Sequence, residues 1–145
     1  MNKYMKVAIE SAREGIQNNH GGPFGSVIIK DGDIISVGHN RVVENNDPTC
    51  HGEIDAIRSA CKKLNTFDLS GCELYTTSQP CPMCECAIRW ANIDKVYYGC
   101  SVQDAEDIGF RDNIFANSSK KGIQIDRNEC LKVFEEYTKL KHISY

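Results

Sequence analysis

Thr49-Cys50-His51-Gly52-Glu53 and, thirty positions on, Pro80-Cys81-Pro82-Met83-Cys84 constrain this 145-residue chain more than any other feature. They offer one imidazole, two thiolates at C-x-x-C spacing, and a carboxylate two residues after the imidazole. Three soft N and S ligands suit zinc. Three protein ligands also leave the fourth tetrahedral position open for water, which marks a catalytic site rather than a structural one. The fold must therefore bring His51, Cys81 and Cys84 to one point while leaving Glu53 beside it.

The spacing has a mechanical reading. A helix from Pro82 to about Ala91 places Cys81 and Cys84 i,i+3 on one face, within reach of one ion. Pro82 fits the first turn, where its missing N–H costs nothing. The positive end of that helix favours thiolate over thiol. Asp47-Pro48-Thr49 reads as a turn and cap before a second helix, which carries Ile54, Ile57, Cys61 and Leu64 at helical spacing. Residues i and i+2 on a helix point in different directions, so Glu53 need not ligate the ion beside His51 and can face the open position. Two other readings stand beside this one. The cysteines could form a redox pair, against which the Pro-Met interior and the His-x-Glu partner argue. They could also belong to a structural zinc site with Cys50 or Cys86 as fourth ligand.

The rest of the composition narrows the class. The length is that of one domain with a core of its own, spanning residues 1–145. The chain has eight cysteines. Apart from Cys81, Cys84 and Cys86 they are scattered singly in mostly apolar surroundings, as reduced residues of a cytoplasmic protein rather than a disulfide framework. The formal charge is −3 with no basic run, which speaks against a large nucleic-acid footprint. No stretch approaches a membrane span, and no signal-peptide core opens the chain.

Read in order, residues 3–18 form an amphipathic helix through Met5, Ala8, Ile9, Ala12 and Ile16. Ser26–Lys30 and Ile34–Gly38 flank Asp31-Gly32 as a hairpin that runs out into His39-Asn40-Arg41. The His51 helix follows, to about Leu64. Glu73–Thr77 is a buried strand leading into the cysteine helix, and Lys95–Gly99 is the next strand. Residues 101–121 read as irregular, 123–125 as a last short strand, 128–140 as a closing helix and 141–145 as a tail. This order predicts an α/β fold with three layers, a central mixed sheet of about five strands and helices on both faces.

His51-x-Glu53 with Pro80-Cys81-x-x-Cys84 is the pattern of the zinc deaminases. With Gly22-Pro23-Phe24-Gly25, Lys30-Asp31-Gly32, Gly38-His39-Asn40, Asp47-Pro48-Thr49, Leu74-Tyr75-Thr76 and Ala87-Ile88, the chain resembles the cytidine/deoxycytidylate deaminase superfamily over most of residues 20–100. The Gly21–Gly25 loop, Trp90, Gly109-Phe110-Arg111-Asp112 and the terminal Tyr145 resemble the guanine deaminases of its nucleobase branch. Gly52 departs from that branch. His-Gly-Glu with Leu-Tyr-Thr-Thr also resembles the fungal-type cytosine deaminases.

The resemblance implies a zinc hydrolase with one Zn2+ per chain, held by His51, Cys81 and Cys84, and with Glu53 as proton shuttle. It implies hydrolytic deamination of a free base, guanine to xanthine and ammonia. Cytosine or another amino-heterocycle is an alternative, and a tRNA adenosine a second one. By the same resemblance Asn40 holds the base edge, Phe24 and Trp90 flank the ring, and Asp112 accepts from ring N–H groups. Tyr145 covers the site in a homodimer, by exchange of the C-terminal segment with the partner subunit. Nucleic acid and membrane are not expected partners. Each substrate contact also has a plainer reading: Phe24 and Trp90 as core aromatics, Asn40 as a loop cap, Asp112 as a solvated carboxylate, Tyr145 as a frayed end.

Overall fold

A computed structural model of the chain describes residues 1–112 and 122–145. Helix α1 spans Lys3–Gln17. Asn2 caps it, its side-chain oxygen accepting from the backbone N–H groups of Tyr4 and Met5. Strands β1 (Gly25–Lys30) and β2 (Asp33–His39) pair antiparallel around the Asp31-Gly32 turn, where both residues have positive φ. Helix α2 is a single turn, Val42–Asn45. Helix α3 spans Gly52–Leu64, strand β3 Cys72–Ser78, helix α4 Pro82–Trp90 and strand β4 Lys95–Cys100. Helix α5 (Val102–Asp107), strand β5 (Ile123–Gln124) and helix α6 (Arg127–Lys139) complete the described elements.

The five strands form one sheet in the order β2-β1-β3-β4-β5. Strand β1 pairs antiparallel with both β2 and β3, while β3 with β4 and β4 with β5 pair parallel. The period-two alternation of a strand divides the core between two faces. Val27, Ile29 and Tyr75 pack with Met5, Ala8, Ala12, Val133 and Phe134 of α1 and α6. Ile28 and Leu74 pack with Ala56, Ala60 and Ile88 of α3 and α4. The architecture is thus the expected three-layer α/β/α arrangement. Gly25 makes the close approach possible: a Cβ there would meet the Ala8 carbonyl oxygen at 2.0 Å.

Two helices differ from the sequence expectation. Helix α2 follows the hairpin directly, where only a run-out through His39-Asn40-Arg41 is expected. Its start is held by Asn40 Oδ1, which accepts from Val42 N at 3.1 Å. The His20 carbonyl also accepts from the backbone N–H groups of Val43 and Glu44. Helix α5 occupies the opening of the segment expected to be irregular. Its capping box is reciprocal, Ser101 Oγ accepting from Asp104 N while Asp104 accepts from Ser101 N. Of the rest of that expectation, residues 113–121 lie outside the described residues.

Candidate active site

The site forms where the starts of α3 and α4 meet on one face of the sheet. His51 and Cys81 are each the N-cap of their helix, with nearly the same extended backbone (φ −67° and ψ 163°; φ −67° and ψ 167°). Pro82 takes the first position of α4, as its fixed φ allows. Cys84 follows one turn later on the inner face and is fully buried. The ligand atoms of His51, Cys81 and Cys84 all lie within 4.8 Å of one another. His51 Nδ1 is 3.6 Å from Cys81 Sγ. A tetrahedral ion with Zn–S near 2.3 Å and Zn–N near 2.0 Å sets those atoms about 3.5 Å apart, so the donor set fits zinc in chemistry and spacing.

Charge around these atoms is redistributed by burial and by their mutual contacts. Cys81 accepts from Cys84 and His51, which outweighs its burial and lowers its thiol to about 4. Cys84 is driven the other way by donating to that thiolate and by burial. Burial disfavours the His51 imidazolium, but Cys81 and Glu53 beside it more than offset this, and its pKa rises. Binding of a divalent cation at this point would displace protons from His51 and Cys84 and set its charge against two thiolates.

Glu53, in the first turn of α3, is 4% exposed, and burial raises its carboxyl above the ordinary value. Thr76 Oγ1 on β3 donates to Glu53 Oε1 at 2.8 Å. Ser26 Oγ on β1 donates to Thr76 Oγ1 at 3.0 Å and lies 3.4 Å from the same carboxylate oxygen. Two neighbouring strands therefore hold the carboxyl beside the ligand cluster. Neither hydroxyl stands out in sequence, because Thr76 and Ser26 look like ordinary strand residues.

A cavity of about 390 Å³ opens onto His51, Glu53 and Cys81. Phe24, Phe110 and Tyr145 supply aromatic walls, and Asp112 and Arg111 lie at its polar side. Phe24 meets Phe110 edge-on at 4.8 Å between centroids and Phe134 at 5.6 Å, so it is at once a core residue and a pocket wall. Burial, with the Cys81 charge nearby, raises the Asp112 carboxyl. Tyr145 packs edge-on against Phe110 at 5.5 Å, and its hydroxyl accepts from Gly22 N at 3.1 Å. Burial raises its phenol. Asn40 is fully buried; its Oδ1 accepts from Gly22 N and Val42 N, while its Nδ2 has no partner.

Trp90 departs from expectation. It ends α4, is 86% exposed and does not line the cavity. The physical reason is length: nine residues beyond Cys81, at about 1.5 Å of rise each, carry it roughly 13 Å along the helix from the ligand cluster. Phe110 stands on the aromatic wall instead. Ser78 and Gln79, at the end of β3, also line the cavity without being singled out by sequence.

A family model for the cytidine and deoxycytidylate deaminase zinc-binding region matches residues 1–100. The chain is 43% identical over 141 residues to guanine deaminase of Bacillus subtilis, covering 97% of this chain and 88% of that protein. It is 45% identical over 95 residues to the tRNA-specific adenosine deaminase of Aquifex aeolicus, covering 66% of this chain and 62% of that protein. The crystal structure of guanine deaminase from Bacillus subtilis superimposes with a TM-score of 0.76 at 39% identity, covering 100% of this chain and 99% of the other.

Proposed function

This chain belongs to the cytidine and deoxycytidylate deaminase family, and from that premise we propose that it deaminates a free nucleobase, guanine, to xanthine and ammonia. Membership makes it a zinc-dependent hydrolase of an amidine-type C–N bond. His51 Nδ1 and the sulfurs of Cys81 and Cys84 would hold the ion. Bound there, zinc would supply Lewis acidity and lower the pKa of the attacking water. Glu53 takes a proton from the attacking water and hands it to a ring nitrogen, then takes the remaining proton of the added hydroxyl and gives it to the amine as the C–N bond breaks. Thr76 and Ser26 fix the carboxyl for that transfer. Water adds at guanine C2 and ammonia leaves, which gives xanthine.

Asp112 is the observation that carries guanine over other bases. A carboxylate in an aromatic pocket accepts hydrogen bonds and donates none, so it suits a ring edge rich in N–H. Guanine presents N1–H, the exocyclic amine and an imidazole N–H. Adenine lacks N1–H, and a nucleoside has a sugar in place of one imidazole N–H. Similarity to tRNA-specific adenosine deaminases, over 66% of this chain in one relative and 95% in another, favours a second reading, deamination of an adenosine in RNA. The acidic balance and the walls of Phe24, Phe110 and Tyr145 around about 390 Å³ favour the small base. Ammonia release from guanine, cytosine, adenine, guanosine and a tRNA anticodon stem-loop separates the readings. Guanine is expected to lead by at least about tenfold in kcat/KM, as a site with a buried polar group rejects rings that leave it unpaired. Turnover of cytosine or of the stem-loop with none of guanine overturns the assignment.

A further inference from the structure

Among the described residues, two buried side-chain polar atoms have no hydrogen-bond partner, Asn40 Nδ2 and Ser78 Oγ. The family resemblance already assigns Asn40 to the base edge, but nothing assigns Ser78. Ser78 is the last residue of β3, is 3% exposed, and lines the cavity with Glu53, Gln79 and Cys81. Strand alternation puts it on the same face as Thr76, which holds Glu53. Thr77 between them turns the other way, and its Oγ1 accepts from Gly25 N at 3.1 Å. The neighbouring hydroxyls of Ser26, Thr76 and Thr77 are all partnered. The sheet therefore satisfies its buried hydroxyls wherever the protein supplies the partner. A hydroxyl taken out of water without a partner is destabilising. The cavity is the side from which a partner for Ser78 can come.

We propose that Ser78 is a specificity-determining residue whose Oγ–H donates to an unprotonated ring nitrogen or oxo group of the amino-heterocycle in the cavity. The inference rests on the nucleobase reading above. Glu53 and Asp112, as carboxylates, address the N–H groups of such a ring. The same ring carries acceptors, and Ser78 gives the buried wall a neutral donor for one of them. The hydroxyl is unpaired in the free protein and paired in the complex, so its interaction contributes to binding rather than to the stability of the fold.

The test compares Ser78→Ala and Ser78→Thr with the wild type on both guanine and cytosine, together with zinc content and melting temperature. Ser78→Ala is expected to lower kcat/KM by about 5- to 10-fold, mainly through KM, the range of one neutral hydrogen bond. It should keep one zinc per chain and melt no lower than the wild type, because it removes an unpaired buried hydroxyl. Ser78→Thr, which restores the hydroxyl, should recover most of the loss. Unchanged kcat/KM in Ser78→Ala overturns the proposal, as does a loss that comes with reduced zinc and a lower melting temperature. A wild type that deaminates cytosine and not guanine overturns the guanine reading alone, and the same Ser78→Ala comparison on cytosine then decides Ser78. A wild type inert on both bases overturns both.

Discussion

Thr76 Oγ1 on β3 donates to Glu53 Oε1 on α3 at 2.8 Å, between two residues that are both withdrawn from water. The bond crosses from the sheet to the helix that starts at His51, so it fixes the carboxyl proposed to carry the proton relative to the His51, Cys81 and Cys84 cluster. A graded pair of substitutions reads this relationship. Glu53→Gln keeps size and burial but cannot shuttle a proton, and kcat should fall by about 10²- to 10⁴-fold with zinc retained. Thr76→Val keeps shape but removes the donor, and kcat should fall by about 10-fold with zinc again retained. Near-normal turnover in Glu53→Gln removes it from the mechanism. Loss of zinc in that variant would make it a ligand instead.

Cys84→Ala tests the ligand set. Cys84 is fully buried on the inner face of α4, one turn after Cys81, and alanine offers no donor atom in place of its sulfur. Zinc content is expected to fall from one per chain to less than about a tenth of that. The folded state then loses the contribution of a tightly bound ion, about 3–4 kcal/mol at metal concentrations of 100 to 1,000 times Kd. Metal analysis and thermal melting check it together. A variant that still holds a full equivalent of zinc means that the ligands lie elsewhere.

A partly buried network around His39 predicts acid sensitivity. His39 Nε2 lies 2.8 Å from His20 Nδ1, and His39 Nδ1 lies 3.0 Å from Ser11 Oγ. His20 Nε2 reaches Glu44, Glu44 meets Arg41, and Arg41 pairs with Asp55, which accepts from His39 N. Burial, Arg41 and His20 lower the His39 pKa below 6.5, against the opposing pull of Asp55 and Glu14. A base with a depressed folded pKa takes up its proton more readily in the unfolded chain. Its contribution to stability is therefore intact above about pH 6.5 and is lost as pH falls below that value toward the folded pKa. Melting temperatures from pH 8 to pH 5 should drop on the acid side, and His39→Gln should flatten that drop whatever it does to stability at pH 8. Parallel pH profiles for the two proteins would show that His39 carries none of the effect.

The ligand cluster was legible because its chemistry leaves little freedom. An imidazole and a C-x-x-C pair each had to sit at a helix start; Pro82 does open α4, whereas Asp47-Pro48-Thr49 forms a turn ahead of α3, whose N-cap is His51 itself with no side-chain cap. Strands β1 to β4 were legible from β-branched runs with clear turns between them. Helix α2 was not, since one turn has no periodicity, and what holds it is the His20 carbonyl more than twenty residues earlier in sequence. Helix α5 had a readable Ser101-x-x-Asp104 capping box, but its six residues are too few to show a hydrophobic face. Trp90 lies away from the cavity of its own chain for a different reason. An aromatic near a motif can serve a pocket wall, a core or a surface, and only distance along α4 decides among them. The hydroxyls of Ser26, Thr76 and Ser78 are invisible in sequence because Ser and Thr are common in strands and become informative only when their partners, or the lack of one, can be seen.

Asp112 and Tyr145 close the cavity from opposite chemical directions, one by accepting hydrogen bonds and one by adding an aromatic wall. Asp112→Asn is nearly isosteric, but its amide presents donors where the carboxylate presents only acceptors. A ring N–H facing the amide nitrogen then meets a like group and is left unpaired, so guanine kcat/KM should fall by about 10- to 100-fold with zinc and fold intact. The preference for guanine over cytosine should shrink in the same variant, because the lost interaction is the one that reads the purine's N–H edge. Removal of residues 141–145 acts on shape instead. It takes away the ring stacked edge-on with Phe110 and the hydroxyl that holds Gly22 N, and it leaves His51, Cys81 and Cys84 untouched. Guanine turnover should fall by about 10-fold or more from the lost aromatic contact, with one zinc per chain still bound. With that wall gone the cavity has room for a ribose, so the guanosine-to-guanine ratio of kcat/KM should rise. Truncated protein that matches the wild type on guanine and still rejects guanosine would show that Tyr145 neither binds the base nor sets the size of the pocket.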